Sequence, residues 1–346
     1  MSKVYFKNFT GDSSAENVKK LSKELLRIII EKENIKLANE IPLKVHFGEA
    51  GNVTYLKPEN FDGIIDFLNE KGIKTQFMES TVMYGGKRHN KATHLETAKE
   101  HGFTRIPVVI ADGDHGESFY EVEINKKHFK KCKLGKEFSE YDQYIICAHF
   151  KGHAIAGFGG AIKQLAMGFA SKGGKIAQHL GIKPKIINRK CKKCNLCRKR
   201  CAEDAITIDK KSFINYDKCV GCGACFTICP HKAIAIITLK SAINFLLSHD
   251  SFKEKIAEYA YAAQIGKNNI YINFIMNVTA GCDCEPKKMK LLTDDIGIYA
   301  STDPLALDQA CFDIVTKRGI KFKGKKALEY GEKLGLGSRK YELVSI

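Results

Sequence analysis

The chain has 346 residues, 44% hydrophobic and 27% charged, with a formal net charge of +17. That balance excludes a disordered class and is long enough for two domains, or for one domain carrying an insertion. No apolar run approaches the ~18 residues of a membrane span. The longest candidate, "LLRIII" at 25–30, lies inside an amphipathic helical pattern. The N-terminal "MSKVYFKNFTGD" lacks the apolar stretch of a secretory signal, so the expected location is cytoplasmic. The basic excess suits nucleic acid, an acidic protein partner or an anionic substrate, and equally a lysine-rich solvated surface.

Over the first 180 residues, short β-like runs alternate with helical patterns. "LKVHF" (43–47), "KTQFM" (74–78), "IPVVIA" (106–111) and "YDQYIICA" (141–148) read as strands, and 14–34, 58–71 and 91–101 as helices. The alternation predicts an α/β fold with a mostly parallel sheet and flanking helices. The near-continuous apolar runs fit strands buried on both faces. From Pro184 to about Thr238 the pattern stops, and cysteine, lysine and turn residues dominate. A helical pattern returns at 239–266, followed by strands at 270–278 and 296–301. A last helix follows at 303–319, with Asp303 as N-cap, Pro304 in the first turn and Gly319 at the stop. The simplest organisation is one α/β domain, 1–183 plus 239–346, interrupted at 184–238 by a small α+β two-cluster module.

Eight of the thirteen cysteines fall between 191 and 229. In a reducing compartment such cysteines are metal ligands or catalysts rather than disulfides. The spacing Cys191-x2-Cys194-x2-Cys197-x3-Cys201 recurs as Cys219-x2-Cys222-x2-Cys225-x3-Cys229-Pro230. This is the bacterial two-cluster ferredoxin run, in which the fourth cysteine of each run ligates the other cluster. One [4Fe–4S] centre is expected on Cys191, Cys194, Cys197 and Cys229, and the other on Cys219, Cys222, Cys225 and Cys201. The apolar runs 205–208 and 233–236 can pack against the clusters. Residues 189–201 carry seven cations and no acid: Arg189, Lys190, Lys192, Lys193, Arg198, Lys199 and Arg200. Each could favour a reduced, more anionic cluster by roughly 1 kcal/mol, on the order of 40 mV per electron. The first cluster is therefore expected to have the higher potential, and the same cations could dock an acidic donor.

Elsewhere, polar residues collect where strands should end, the place where open α/β sheets bind ligands. Residues 149–175 bring His149, Lys151, His153 and a Gly157-Gly159-Gly160 turn that opens a helix ending near Gly173–Gly174, with Lys163 in its first turn and His179 beyond. Such a helix start can hold an anion. "GFGGAI" is not GxGxxG, and Gly168 to Lys175 misses the P-loop spacing by one residue. Asp112, Asp114 and His115 follow "PVVIA", and Tyr84, Arg88 and His94 lie in "MYGGKRHNKATH". Cys282 and Cys284 form a Cys-x-Cys pair that could clamp a further metal with His149, His153 or His179, or act as a redox couple. Cys132, Cys147 and Cys311 read as core cysteines.

The stretches "KVHFGE", "YGGKRHNKATHLETAKEHGF", "VVIADG", "HFKGHAIAGFGGAIKQLAMGFASKGGK", the double cysteine run, "CDCEP" and "DIGIYASTDPLALDQA" together resemble the DUF362 family of iron–sulfur centre proteins. The resemblance implies an α/β domain carrying an inserted two-cluster ferredoxin, and supplies no reaction. The expected function is a redox protein that passes electrons through two [4Fe–4S] clusters to or from a cationic pocket. His149, His153, Lys163, Cys282 and Cys284 are the candidate catalytic residues there. Asp112, Lys151, Lys163, His179 and Arg88 are the candidates to bind an anionic substrate, a flavin or a metal. The rival reading is a ferredoxin-type carrier whose α/β domain is a docking scaffold. The expected partner is an acidic electron carrier such as a ferredoxin or flavodoxin. No nucleic-acid platform is legible, and neither is the oligomeric state.

Overall fold

The computed structural model describes residues 1–180, 184–201, 203–219, 221, 223–235 and 249–346. Its central sheet is built from β1 (Ser2–Asn8), β2 (Leu43–Lys44), β3 (Phe77–Glu79), β4 (Val108–Ile110), β7 (Ile145–His149), β14 (Ile270–Ile275), β15 (Gly297–Ser301) and β16 (Tyr341–Ser345). These eight strands lie in the order β16-β1-β15-β14-β7-β2-β3-β4. Only the two pairings of β15, with β1 and with β14, are antiparallel, so the fold is α/β with a mostly parallel sheet.

The apolar runs fill both faces of this sheet. Along β7 and β14, Ile145, Cys147, Ile270, Ile272 and Phe274 enter one core, and Ile146, Tyr271 and Ile275 the other. That alternation is the two-residue period of a strand buried on both sides. The first core is covered by α1 (Ala15–Lys32), α2 (Asp62–Glu70) and α3 (Lys91–Glu100). The second is covered by α4 (Ala161–Phe169) and three helices from the chain's last third. These last are α8 (His249–Gln264), α9 (Pro304–Lys317) and α10 (Lys325–Leu334). Cys132, Cys147 and Cys311 are buried in these cores. Asp303 caps α9 by accepting the N–H groups of Leu305 and Ala306.

Three expectations change. Strands β1 and β16 and helix α10 have no counterpart in the sequence pattern; β16 is an edge strand, and β1 lies between it and β15. Two hairpins stand where the pattern suggests only loop: β5 (Phe119–Glu123) with β6 (Lys131–Gly135), and β8 (Lys151–His153) with β9 (Gly157–Gly159). The single helix expected from Gly160 to Gly173–Gly174 is two. α4 stops at Phe169, and α5 (Lys172–Leu180) starts after Ser171, whose hydroxyl accepts the Gly174 N–H. Gly174 lies inside α5 because a Cβ there would stand 2.4 Å from the Lys133 carbonyl of β6.

The cysteine-rich segment is a doublet with a spacing of 28 residues. β10 (Lys185–Ile186), α6 (Leu196–Lys199) and β11 (Ile206–Thr207) are repeated by β12 (Phe213–Ile214), α7 (Ala224–Ile228) and β13 (Ile234–Ala235). The pairing crosses between halves, with Ile186 opposite Ile234 and Ile206 opposite Ile214. Left-handed positions recur in register, at Lys193 and Gly221, Asn195 and Gly223, Asp204 and Lys232. Because β10 pairs antiparallel with β13, the chain enters and leaves the segment side by side. Flanking residues then return to the same sheet, β7 lying beside β14. The expected junctions at 183 and 239, together with Ala202, Cys222 and residues 236–248, lie outside the described residues.

Candidate functional site

A cavity of about 240 Å³ opens where β2, β3, β7 and β14 end, the position at which parallel sheets expose a crevice. His46 lies beyond β2, Glu79 ends β3 with Ser80 just after it, and His149 ends β7. The loop after β14 contributes Cys282, Asp283 and Cys284. The β8–β9 hairpin adds Lys151 and His153, α4 adds Lys163, Gln164 and Met167, and α5 adds Lys175 and His179.

Lys163 Nζ lies 3.8 Å from Cys282 Sγ, and the Cys284 N–H donates to the same sulfur at 3.4 Å. Cys282 is held well below the usual thiol range. The hydrogen bond from the Cys284 thiol is the largest cause; burial opposes it, and the Lys151 and Lys163 ammonium groups and a hydrogen bond from His153 reinforce it. The same thiol–thiol hydrogen bond, aided by burial, pushes Cys284 up. One cysteine is thus set to be a thiolate while its neighbour keeps the proton.

The donor atoms of His153, Cys282 and Cys284 all lie within 4.8 Å of one another, a grouping that could hold a soft metal. His153 Nδ1, however, accepts the N–H groups of Ile155 (3.2 Å) and Ala156 (3.0 Å). In a neutral imidazole the proton then sits on Nε2, which serves as donor to Cys282 rather than as a lone pair. His149 stands outside this trio. Its Nδ1 faces the Asp283 carboxylate at 3.0 Å and its Nε2 the Met276 carbonyl at 2.7 Å, so both ring nitrogens are engaged by oxygen atoms inside the protein. Its expected role as a metal ligand is therefore corrected to one of fixing Asp283, which also lies 3.6 Å from Lys151 Nζ. Burial works against the Lys151 charge, but Asp283 and the two cysteines outweigh it and hold its pKa up. His179 donates from Nδ1 to the Lys175 carbonyl at 2.9 Å, and burial pushes it down to about 4, leaving a neutral ring with Nε2 open.

Several residues take roles other than those expected from the sequence. Asp112 is buried away from the cavity, accepting from the Thr81 N–H and hydroxyl (2.8 Å each) and the Lys172 N–H (3.2 Å), so it anchors α5 and binds no ligand there. Arg88 does line the cavity, fully buried, but most of its guanidinium is used inside the protein. It donates to Glu49 at 3.1 Å and to the Tyr84 hydroxyl at 2.6 Å. His94 is buried against Phe47, outside the cavity. The N-terminus of α4 is not free for an anion: the Ala161 and Ile162 N–H groups donate to the Asp308 carboxylate at 2.8 and 2.9 Å. Gly160 is required there, since a Cβ would come within 2.4 Å of Asp308. The sequence pattern does not reveal Glu79, Asp283, Lys175 or, behind them, Lys44, which donates to Glu79 at 2.8 Å. A lysine inside the apolar run "LKVHF" is the one available signal.

The cysteine-rich segment encloses two smaller cavities. Cys191, Cys194, Cys197 and Cys229 line one, with Ile186, Ala233 and Ile234. Cys201, Cys219 and Cys225 line the other, with Ala205, Ile206 and Ile214; Cys222, expected with them, lies outside the described residues. The fourth cysteine of each run accepts a backbone N–H at 3.3 Å, Cys201 from Ala205 and Cys229 from Ala233. Soft thiols backed by apolar side chains and amide donors are a donor set suited to iron–sulfur clusters. Glu117 and Phe119 of the α/β domain join the lining of the second cavity only. Arg200 latches the segment there, paired with Glu117 and 3.8 Å from Asp114. It is therefore not one of seven free cations; Arg189, Lys190, Lys192, Lys193, Arg198 and Lys199 remain exposed.

Among known proteins, a 52-residue stretch is 46% identical to pyruvate synthase subunit PorD of Methanothermobacter marburgensis, covering 15% of this chain and 62% of that protein. The chain thus spans less than two thirds of that relative. A structural-genomics target from Thermotoga maritima superposes with a TM-score of 0.40 at 11% identity, over 92% of this chain and 59% of the other. The lactate racemase apoprotein of Thermoanaerobacterium thermosaccharolyticum does so at 0.39 and 13%, over 80% and 51%. Likenesses this loose do not bear on chemistry. No described helix is long and apolar enough to cross a membrane. The model of the domain of unknown function DUF362 matches residues 41–313, and the chain belongs to that family.

Proposed function

We propose that this protein is an iron–sulfur redox protein in which two [4Fe–4S] clusters exchange single electrons with the cavity of the α/β domain. The observation that carries this reading is the sorting of the described cysteines. Each run sends its first cysteines to one cavity and its fourth to the other. When bound, the clusters would supply one-electron transfer. The 52 residues shared with a pyruvate synthase subunit are in keeping with a redox partnership.

The residues around the two cavities give them different tasks. The first is lined by the segment alone, with Lys192 and the exposed Leu196 and Cys194 in its wall, and five further exposed cations lie in the same stretch, 189–199. An acidic one-electron carrier would dock there, and these cations favour the more anionic, reduced state. The second faces the α/β domain. A Cβ on Gly223, beside Cys225, would meet Ile176 of α5 at 2.7 Å, and α5 also carries the cavity residues Lys175 and His179. One helix thus packs on the wall of the second cysteine cavity and lines the α/β cavity, which supports a path from outer cluster to inner cluster to cavity. Inside the cavity, Lys151 and Lys163 face any ligand with ammonium groups, which selects an anionic substrate or cofactor.

The test is reduction of anaerobic, cluster-loaded protein by a reduced acidic ferredoxin, followed by bleaching of visible absorbance. The expected outcome is rapid reduction that slows with salt and slows about tenfold in a Lys192→Glu, Lys199→Glu double variant. Reduction insensitive to both changes would reject the docking face. Absence of any bleaching would reject the redox reading.

A further inference from the structure

We propose that Cys282 and Cys284 are a redox-active thiol pair that stores two electrons as a reversible dithiol–disulfide couple at the cavity end of the electron path. This rests on the redox reading above and names what in the cavity accepts the electrons.

Three arrangements point to it. Both sulfurs lie within 4.8 Å of each other and of His153, close enough for side-chain rotation to join them. The Cys282 sulfur meets Lys163 at 3.8 Å, the Cys284 N–H, the His153 ring N–H, and Lys151, whose charge the two sulfurs help to hold; of the two neighbouring carboxylates, Asp283 is paired with His149 and Lys151, and Glu285 accepts the Cys282 N–H and pairs with Lys287. Donors and ammonium groups stabilise a sulfur anion and repel a metal cation. Finally, the Ile155 and Ala156 amides fix His153 in the tautomer that cannot ligate through Nε2. With His153 withdrawn, only the two sulfurs of this donor grouping remain among the described residues, His179 standing outside it, which is a poor metal site. The same surroundings suit a nucleophilic thiolate with a protonated partner beside it.

The step balances within the protein. In the reduced state Cys282 is a thiolate and Cys284 a thiol. Oxidation forms the Sγ–Sγ bond, breaks the Cys284 S–H bond, releases that proton to water in the cavity, and yields two electrons. The two clusters accept one each, so a two-electron couple meets two one-electron carriers. In the opposite direction two reduced clusters return the pair to thiolate and thiol, with one proton taken up. Cys282 is buried at 3% exposure while Cys284 is half-buried, so the reagent reaches the pair from the cavity.

The test uses cluster-loaded full-length protein under anaerobic conditions. Diamide treatment should remove about 2 Da from the peptide carrying residues 282–284 in the wild type, and nothing in Cys284→Ser or Cys282→Ser. Stoichiometric titration with titanium(III) citrate should then consume about two electrons more per wild-type chain than per Cys284→Ser chain, at equal iron content. The proposal is overturned if the wild-type peptide keeps both thiols, if the extra electrons are absent, or if purified protein holds a non-iron metal that the Cys282→Ser variant loses. A variant that fails to fold leaves the wild-type mass shift as the deciding measurement. Reversible disulfide formation in a chain without iron or acid-labile sulfide would keep the thiol pair and reject the cluster reading. Normal clusters with an inert pair would do the opposite.

Discussion

The protein handles sulfur in two regions, and their surroundings are opposed. In the cysteine-rich segment most of the described thiols pack against apolar side chains and backbone amides, while Cys194 is exposed and the neighbouring cations reach water. In the cavity the thiols meet lysines and a histidine that point inward, and burial amplifies each charge. Neutral amides and isoleucines can surround a bulky anion without drawing its protons or competing for its ligands. Ammonium groups beside a single buried sulfur instead shift its protonation and make it reactive. On the proposed reading one region holds clusters and the other reacts, with α5 and the Arg200–Glu117 pair between them.

The sharpest break in this comparison comes from the segment. Cys197→Ala and Cys225→Ala should each cut iron content by about half and remove a different cluster's spectroscopic signal. If one substitution empties both sites, the two cavities are not independent.

Next in size is the framework behind the cavity. Asp308 accepts from the first two α4 amides and from Asn273 Nδ2 at 2.8 Å. Asp308→Ala should lower stability by about 3 kcal/mol in urea unfolding, since three buried donors lose their acceptor. Burial raises the Asp308 carboxyl to about 6. A raised acid favours folding most when protonated, so this contribution is full below about pH 4 and lost as pH rises through about 6. Asp308→Asn should flatten the stability–pH slope in that window, and an unchanged slope would exclude Asp308 as its source.

A smaller effect sharpens the difference in thiol chemistry. Lys163→Met should shift the pH at which iodoacetamide alkylation of Cys282 reaches half its maximal rate upward by about one unit, a tenfold change in proton affinity. Peptide mass spectrometry would read it, and the segment cysteines should be unaffected. An equal change in both regions would mean that Lys163 acts on the fold rather than on the sulfur. The smallest effect concerns the latch. Arg200→Ala should cost roughly 1 kcal/mol, being partly exposed, leave iron content intact, and slow electron exchange with the cavity. Loss of iron there would make Arg200 a part of the cluster site instead.

The two regions also differ in how far their sequence announces them. The segment is local: the cysteine spacing and the 28-residue repeat lie in one stretch of chain, so the quartets can be named before any geometry. Arg200 is the exception, since nothing among its neighbouring cations marks the one that meets Glu117. The sheet is legible where strands carry long apolar runs, as at β7 and β14, and not at β1 and β16, whose short apolar stretches, Val4–Phe6 and Leu343–Val344, sit among polar neighbours. The cavity is legible only in its loop residues. Glu79 ends a strand, Lys44 sits in an apolar run, and Asp308 lies among the apolar residues of a buried helix with nothing in the pattern to single it out. Their roles arise when distant segments meet, as does the pairing that occupies His149 and takes Asp112 out of the site.

The central claim is tested most directly by counting iron and acid-labile sulfide in protein purified without oxygen. The account predicts roughly eight of each per chain, as two cubanes require. A colourless protein carrying zinc and no labile sulfide would contradict it.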